Sequence, residues 1–299
     1  MYHGFTELSK RLMRQGLEDD GLAWDFTSIG SGLGSRKISA KIIAKGPGIW
    51  AADPIVAAAE LLSHEFGSPL KFQVGVKDGA QLKKGQTVLS LSGEAATLLA
   101  FERPLLNLAS YLGGIAHQTR ELVDQTEKAF RKNIGRAPAG ITPPRVTSTR
   151  KTLPGYRDLA VYAVHCGGGH PHRVSLSGGV LIKENHIAAA GGIAKAIRGC
   201  RLVSPHGLKI EVEVRNLAEL DQAIESHADA VLLDNFTPDL VKSAVKKIEK
   251  SGQKIIVEVS GGISLSNIGD YALPGVHVIS SGSLTHSVKA IDLSLLVDD

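Results

Sequence analysis

Aromatic side chains make up only 5% of the 299 residues, and there is no dense stripe of one charge sign. Without interleaved aromatics and basic residues there is no stacking platform for single-stranded bases. The densest basic run, Lys246, Lys247, Lys250 and Lys254, reads as the solvated face of a surface helix. The 34 basic and 30 acidic residues leave a charge of +4, spread thinly, so no nucleic-acid partner is expected. Only two cysteines occur, Cys166 and Cys200, too few for a disulfide framework and too isolated for a zinc pattern. No apolar run approaches the roughly 18 residues of a membrane span. The opening Met1-Tyr2-His3-Gly4-Phe5 lacks the basic-then-apolar order of a secretory signal. The expectation is a cytoplasmic protein in a reducing compartment, with no membrane partner.

What the chain does have is ordinary globular composition, 43% apolar and 21% charged, at a length that favours two domains. Residues 5–19 read as a helix. Ile38, Ala40, Ile42 and Ala44 alternate with largely polar neighbours as in a half-buried strand, and Asp53 is expected to cap a helix running to about Phe66. Lys71 to Lys77 and Thr87 to Leu91 read as strands around the turns Asp78-Gly79 and Lys84-Gly85, a small antiparallel unit. A long helical stretch begins near Glu94. Pro104 is expected to kink it or to start a fresh helix, which would leave Arg103 at a break.

Beyond the proline- and glycine-rich loop Arg136 to Pro144, short apolar strands alternate with helices. The strands are Val146 to Thr149, Val180 to Ile182, Lys209 to Val214, Ala230 to Asn235, Lys254 to Gly262 and Val276 to Gly282. The last four start about 20 to 24 residues apart, room for one helix and two tight loops. Six parallel strands imply either an open doubly wound sheet or a barrel. The barrel is favoured because polar residues end every strand, and in a barrel such ends converge on one mouth.

The chemistry of those ends follows from charge. Arg150, Lys151, His172, Arg173 and Lys183 fall within 34 residues, and so many cations in one mouth call for a polyanionic ligand. Glu213 and Asp234, a carboxylate pair opposite them, suit a magnesium bridging phosphate oxygens, which points to a diphosphate. Ser260-Gly261-Gly262 and Ser280-Ser281-Gly282 offer backbone N–H and hydroxyl donors for a phosphate monoester. Gly167-Gly168-Gly169 reads equally well as a ligand-approaching turn or as a flexible connector. Singly, Lys183 reads as a snorkelling strand-end lysine and each carboxylate as a helix cap; jointly, six strand ends point to function. His117 and His165 read as packed or surface histidines, and Cys166 as structural.

These residues resemble the quinolinate phosphoribosyltransferase family. The resemblance is carried by Phe101-Glu102-Arg103-Pro104-Leu105-Leu106-Asn107, Thr149-Arg150-Lys151-Thr152-Leu153-Pro154-Gly155, Gly167 to Arg173, Leu181-Ile182-Lys183-Glu184-Asn185-His186, Glu211-Val212-Glu213, Leu233-Asp234-Asn235, Glu258 to Ile263 and Ser280 to Ser287. It implies an N-terminal α/β sandwich-like domain over residues 1–115, rejoined by a tail at 287–299, and an incomplete, open α/β barrel of parallel strands over 116–286. It further implies a homodimer with a shared site, in which quinolinate and phosphoribosyl diphosphate, with magnesium, give nicotinate mononucleotide, diphosphate and carbon dioxide. By the same resemblance Arg150, His172, Arg173 and Lys183 hold the quinolinate carboxylates, and Arg103 reaches in from the neighbouring subunit. Lys151 contacts phosphates or substrate and acts in catalysis with Glu213 and Asp234, which take the ribose hydroxyls and magnesium. The two serine-glycine turns take the 5-phosphate.

The chain departs from the family pattern at Trp24-Asp25-Phe26-Thr27, Gly113 to His117, His165 and Gly178, the last two expected beside the cation cluster. Two other readings stay open. One is the molybdenum-associated paralogue group, whose members differ around the segment present here as Lys183 to His186; the other is a non-catalytic protein that binds a phosphorylated metabolite.

Overall fold

The computed structural model describes residues 3–21, 25–33, 35–135 and 141–298. Trp24 and most of the loop from Arg136 lie outside them. In chain order the elements are α1 (His3–Asp19), α2 (Phe26–Gly30), β1 (Lys37–Ala44), β2 (Gly48–Ile49), α3 (Asp53–Glu65), β3 (Lys71–Val74), β4 (Gln81–Leu82), β5 (Thr87–Glu94) and α4 (Ala95–Ile134). They continue with β6 (Arg145–Thr147), α5 (Arg157–Cys166), β7 (Val180–Ile182), α6 (Glu184–Ala190), α7 (Ile193–Val203), β8 (Ile210–Val214), α8 (Leu217–Glu225) and β9 (Ala230–Asp234). The last are α9 (Pro238–Ser251), β10 (Ile256–Ser260), α10 (Ile268–Tyr271), β11 (Val278–Ser280), α11 (Ser283–His286) and β12 (Leu293–Val297). Two units emerge, one of Met1–Arg120, Pro154–Gly168 and Val288–Asp299, the other of Glu121–Leu153 and Gly169–Ser287.

The first unit is built on an antiparallel sheet in the order β12-β1-β5-β3. Alternation on β1 sends Ala40, Ile42 and Ala44 into the core and leaves Lys37, Ser39 and Lys41 exposed. Trp50, Met13, Leu17, Ile55 and Leu62 are fully buried there with Phe101. Two expectations are corrected. Asp53 is the first residue of α3, not its cap: Ala52 stands at the cap and Asp78 accepts its N–H at 2.9 Å, while Asp53 accepts the Trp50 indole N–H at 3.0 Å. Of the two outcomes expected at Pro104, the fresh helix start does not occur: α4 runs through it for 40 residues and Arg103 lies inside that helix. One missing N–H is a small loss against the bonds on either side. The ring also packs on α1, where a Cβ added to Gly16 would come within 3.0 Å of the Pro104 Cβ.

The second unit holds the six expected strands, all parallel, in the order β6-β11-β10-β9-β8-β7. Among the described residues the outer strands β6 and β7 do not pair, so the barrel is open. Val212, Val214, Val231, Leu233, Val257, Val259 and Ile279 share a core with residues of α7, α8 and α9, such as Ile197, Leu220 and Val241. With a period of two, the alternate residues of the same strands face the other way, and those include Glu211, Glu213, Asp234, Glu258, Ser260 and Ser280. The strands are thus apolar toward the helices, while the barrel interior mixes these polar side chains with Ala230, Leu232, Ile256 and Val278.

Candidate active site

The C-terminal strand ends of the second unit surround a cavity of about 800 Å³, large enough for a metabolite-sized ligand. Arg150 and Lys151 reach it from just beyond β6, and Lys183 from the N-cap of α6 directly after β7. The segment bearing His172 and Arg173 is held to the β6 edge, where His170 bridges Thr147 and donates to the Val146 carbonyl at 2.9 Å. Glu213 on β8 and Asp234 at the end of β9 line the same cavity, as do Ser260, Gly261, Gly262, Ser280 and Gly282.

The cations carry unused donors. The Nε atoms of Arg150 and Arg173 are buried without a hydrogen-bond partner, although Nη1 of Arg173 donates to the Gly179 carbonyl at 3.1 Å. Burial and the Arg150 charge together lower the Arg173 pKa, and the Glu211 carboxylate opposes them. A buried guanidinium N–H without an acceptor is costly, and an anionic ligand is the group that would relieve it. The hydroxyls of Ser280 and Thr147 are likewise buried and unpartnered.

The carboxylates are paired unevenly. Lys183 Nζ lies 2.6 Å from Glu213 Oε2. Burial raises the Asp234 pKa, and so does the charge of Glu213, against the Asn235 amide at 2.8 Å and the nearby Lys183 and Lys151. Glu213 and Asp234 on neighbouring strands form an all-oxygen donor set, which fits a hard divalent cation such as magnesium.

Glycine is required at one turn above all. Gly261 has φ +94°, and a Cβ there would collide with Asn235 Oδ1, itself on a residue at φ 56°. At Gly282 a Cβ would lie 3.0 Å from the His286 ring, so this glycine admits His286 to the cavity wall.

Two of the expected site residues do not line the cavity. Arg103 belongs to the first unit, exposed on α4 with Glu102 at 4.0 Å. Ser281 is 1% exposed; its hydroxyl donates to the Ile263 carbonyl at 2.8 Å and its N–H to Thr147, so neither is left for a phosphate. His165 is exposed at the end of α5, and Gly178 is exposed in the loop before β7. Burial, with the Asp78 charge, pushes the Cys166 thiol up to about 12, which disfavours the reactive thiolate.

Sequence reasoning missed Glu211, Glu258 and His286 as site residues. The Nε2 of His172 faces Glu258 at 3.2 Å and Glu211 at 3.6 Å. Burial opposes charging of the ring, but these carboxylates outweigh it and raise the pKa to about 10. The Arg173 N–H, 2.8 Å from Nδ1, pulls the other way because that nitrogen accepts only while unprotonated. The signal that could have found the glutamates was a charged residue inside an apolar parallel strand, repeated in Glu211-Val212-Glu213 and Glu258.

Fold and site together define an open α/β barrel whose mouth gathers several cations around a carboxylate pair. Family models for the N- and C-terminal domains of quinolinate phosphoribosyl transferase match residues 25–112 and 115–296. The chain is 39% identical over 289 residues to a Bacillus subtilis protein named "Probable nicotinate-nucleotide pyrophosphorylase [carboxylating]", covering 97% of this chain and 93% of that one. It is 35% identical over 281 residues to the human nicotinate-nucleotide pyrophosphorylase (carboxylating), covering 93% and 88%. The solved nicotinate-nucleotide pyrophosphorylase of Francisella tularensis superposes with a TM-score of 0.84 at 34% identity, covering 98% and 97%. The chain belongs to the quinolinate phosphoribosyl transferase family.

Proposed function

We propose that the protein transfers the phosphoribosyl group of phosphoribosyl diphosphate to quinolinate with decarboxylation, giving nicotinate mononucleotide, diphosphate and carbon dioxide for NAD synthesis in the cytoplasm. The observation that carries this reading is the pair of buried, unpartnered guanidinium Nε atoms of Arg150 and Arg173 in the cavity that also holds Glu213 and Asp234. Donors of fixed geometry suit the two carboxylates of a pyridine dicarboxylic acid, and Lys183 adds a third charge. The pyridine nitrogen attacks C1 of the ribose as the bond to diphosphate breaks, through a state with positive charge on the sugar. Glu213 and Asp234 stabilise that charge, and Lys151 the departing diphosphate. Ser260, Gly261, Gly262 and the turn at Ser280 and Gly282 hold the 5-phosphate. Magnesium, held by Glu213 and Asp234 with the substrate, would supply charge neutralisation on the diphosphate. Once the ring nitrogen is quaternary, the bond from C2 to its carboxylate breaks. The electron pair stays on C2 beside the positive nitrogen, and a proton replaces carbon dioxide.

The same reading takes the protein as a homodimer in which Arg103 of one subunit completes the other's cation cluster. Its support is that Arg103 is exposed and, among the described residues, has Glu102 alone as an ion-pair neighbour, at 4.0 Å. Incubation with magnesium, phosphoribosyl diphosphate and quinolinate labelled at the C2 carboxyl tests the reaction: labelled carbon dioxide and nicotinate mononucleotide should appear in equal amounts. Binding of either substrate without turnover would favour a metabolite sensor and overturn the enzymatic reading.

A further inference from the structure

His172 has both ring nitrogens engaged within the protein. Its Nδ1 faces the Arg173 backbone N–H at 2.8 Å, so Nε2 carries a proton both in the neutral ring, where Nδ1 accepts, and in the charged ring that the two carboxylates favour. Nε2 points at two carboxylates from strands on either side of β9, Glu258 Oε2 at 3.2 Å and Glu211 Oε2 at 3.6 Å. On β9 the residue in register with Glu211 is Ala230, whose methyl group leaves room beside the glutamate chain. All three side chains are largely buried, at 16% exposed for His172, 14% for Glu211 and 4% for Glu258.

The three could be taken for a metal centre, since one ligand atom from each lies within 4.8 Å of the others. The tautomer argues against it. A ligating Nε2 needs its lone pair, which moves the ring proton to Nδ1, directly against the Arg173 N–H. The carboxylates therefore meet a donor, and the ring is locked between the barrel floor and the backbone of Arg173.

Resting on the proposed reaction, we infer that Glu211 and Glu258 are positioning residues for quinolinate: they clamp His172, which fixes the backbone of Arg173 and so aims its guanidinium at a substrate carboxylate. In this arrangement His172 acts through Arg173 more than by touching the substrate. The groups facing the ring are Glu211 from β8, Glu258 from β10 and the main chain of Arg173; Arg150 acts on Arg173 itself. The clamp makes a specific demand on kinetics. Loosening it should disturb the pyridine acid and leave the phosphoribosyl donor alone, whereas partial unfolding would lower kcat without moving either KM.

The test is steady-state kinetics of Glu258→Gln and Glu211→Gln, near-isosteric variants, beside the wild type. The expected result is a KM for quinolinate raised about tenfold, the size of one weakened charged hydrogen bond, with the KM for phosphoribosyl diphosphate unchanged. His172→Asn places an amide oxygen near the position of Nδ1 but cannot reach the carboxylates, and should show the same split. Quinolinate KM values within twofold of wild type in both glutamine variants, with His172→Asn impaired, would make His172 a direct ligand and overturn the inference. Stoichiometric zinc bound by the wild type and lost in Glu258→Gln would also overturn it, by showing Nε2 to be a metal ligand. A wild type that releases no labelled carbon dioxide removes the reaction itself and the inference with it.

Discussion

The ammonium of Lys183 lies 2.6 Å from the carboxylate of Glu213, joining the group proposed for the pyridine acid to one proposed for ribose and metal. The two stand at the ends of neighbouring parallel strands β7 and β8. The pair neutralises both charges in a partly buried mouth, and a ligand that engages either one competes with that bond.

Arg173→Ala should weaken quinolinate binding by tenfold or more, about 1.5–3 kcal/mol for a hydrogen bond to a charged group, while phosphoribosyl diphosphate still binds. Lys183→Ala should do the same. Calorimetric titration with each substrate separately checks both; normal quinolinate affinity in the two variants would refute the placement of the acid.

Two inactive chains should complement each other. Arg103→Ala and Lys183→Ala, mixed under conditions where subunits exchange, should recover part of the activity, because one of the two sites in a mixed dimer is then intact. Proven exchange with no recovery would refute the shared site.

Gly261→Ala should be both less stable and nearly inactive. The residue sits at φ +94° with Asn235 against the place a Cβ would take, so the strain is of order 1–3 kcal/mol. Thermal unfolding should show the loss of stability. Binding of phosphoribosyl diphosphate should fall more than that of quinolinate, since the turn is placed at the 5-phosphate.

Asp78 predicts a pH dependence of stability in the first unit. Burial raises its pKa to about 6, and the Asp53 charge adds to this, while the Tyr162 hydroxyl and the backbone N–H groups of Asp53 and Ala52 oppose it. The folded state thus holds a proton that the unfolded chain releases near the ordinary value of 3.8. Its stabilising contribution is complete below that value and declines as pH rises toward about 6. Asp78→Asn should flatten the fall of melting temperature across this window; an unaltered slope would show that another group titrates there.

The six parallel strands were legible because each is a short apolar run bounded by turn residues, a pattern that depends on local order alone. Arg150, Lys151, Lys183, Glu213 and Asp234 were legible for the same reason: a polar residue ending such a run has a known position in a parallel barrel. Sequence order thus settled the fold class, the barrel mouth and most of its charged groups. It could not settle where a side chain finds its partner. Asp78 rather than Asp53 caps α3 because residues 25 positions apart meet there. Pro104 stays within α4 because the surrounding helix outweighs one lost bond. Ser281 turns inward to Ile263 while His286, four residues after Gly282, takes a place on the cavity wall. Glu211 and Glu258, 47 positions apart, converge on His172 only because β8, β9 and β10 lie side by side. Propensity and periodicity act over a few residues, whereas buried charges are placed by contacts between strands distant in the chain.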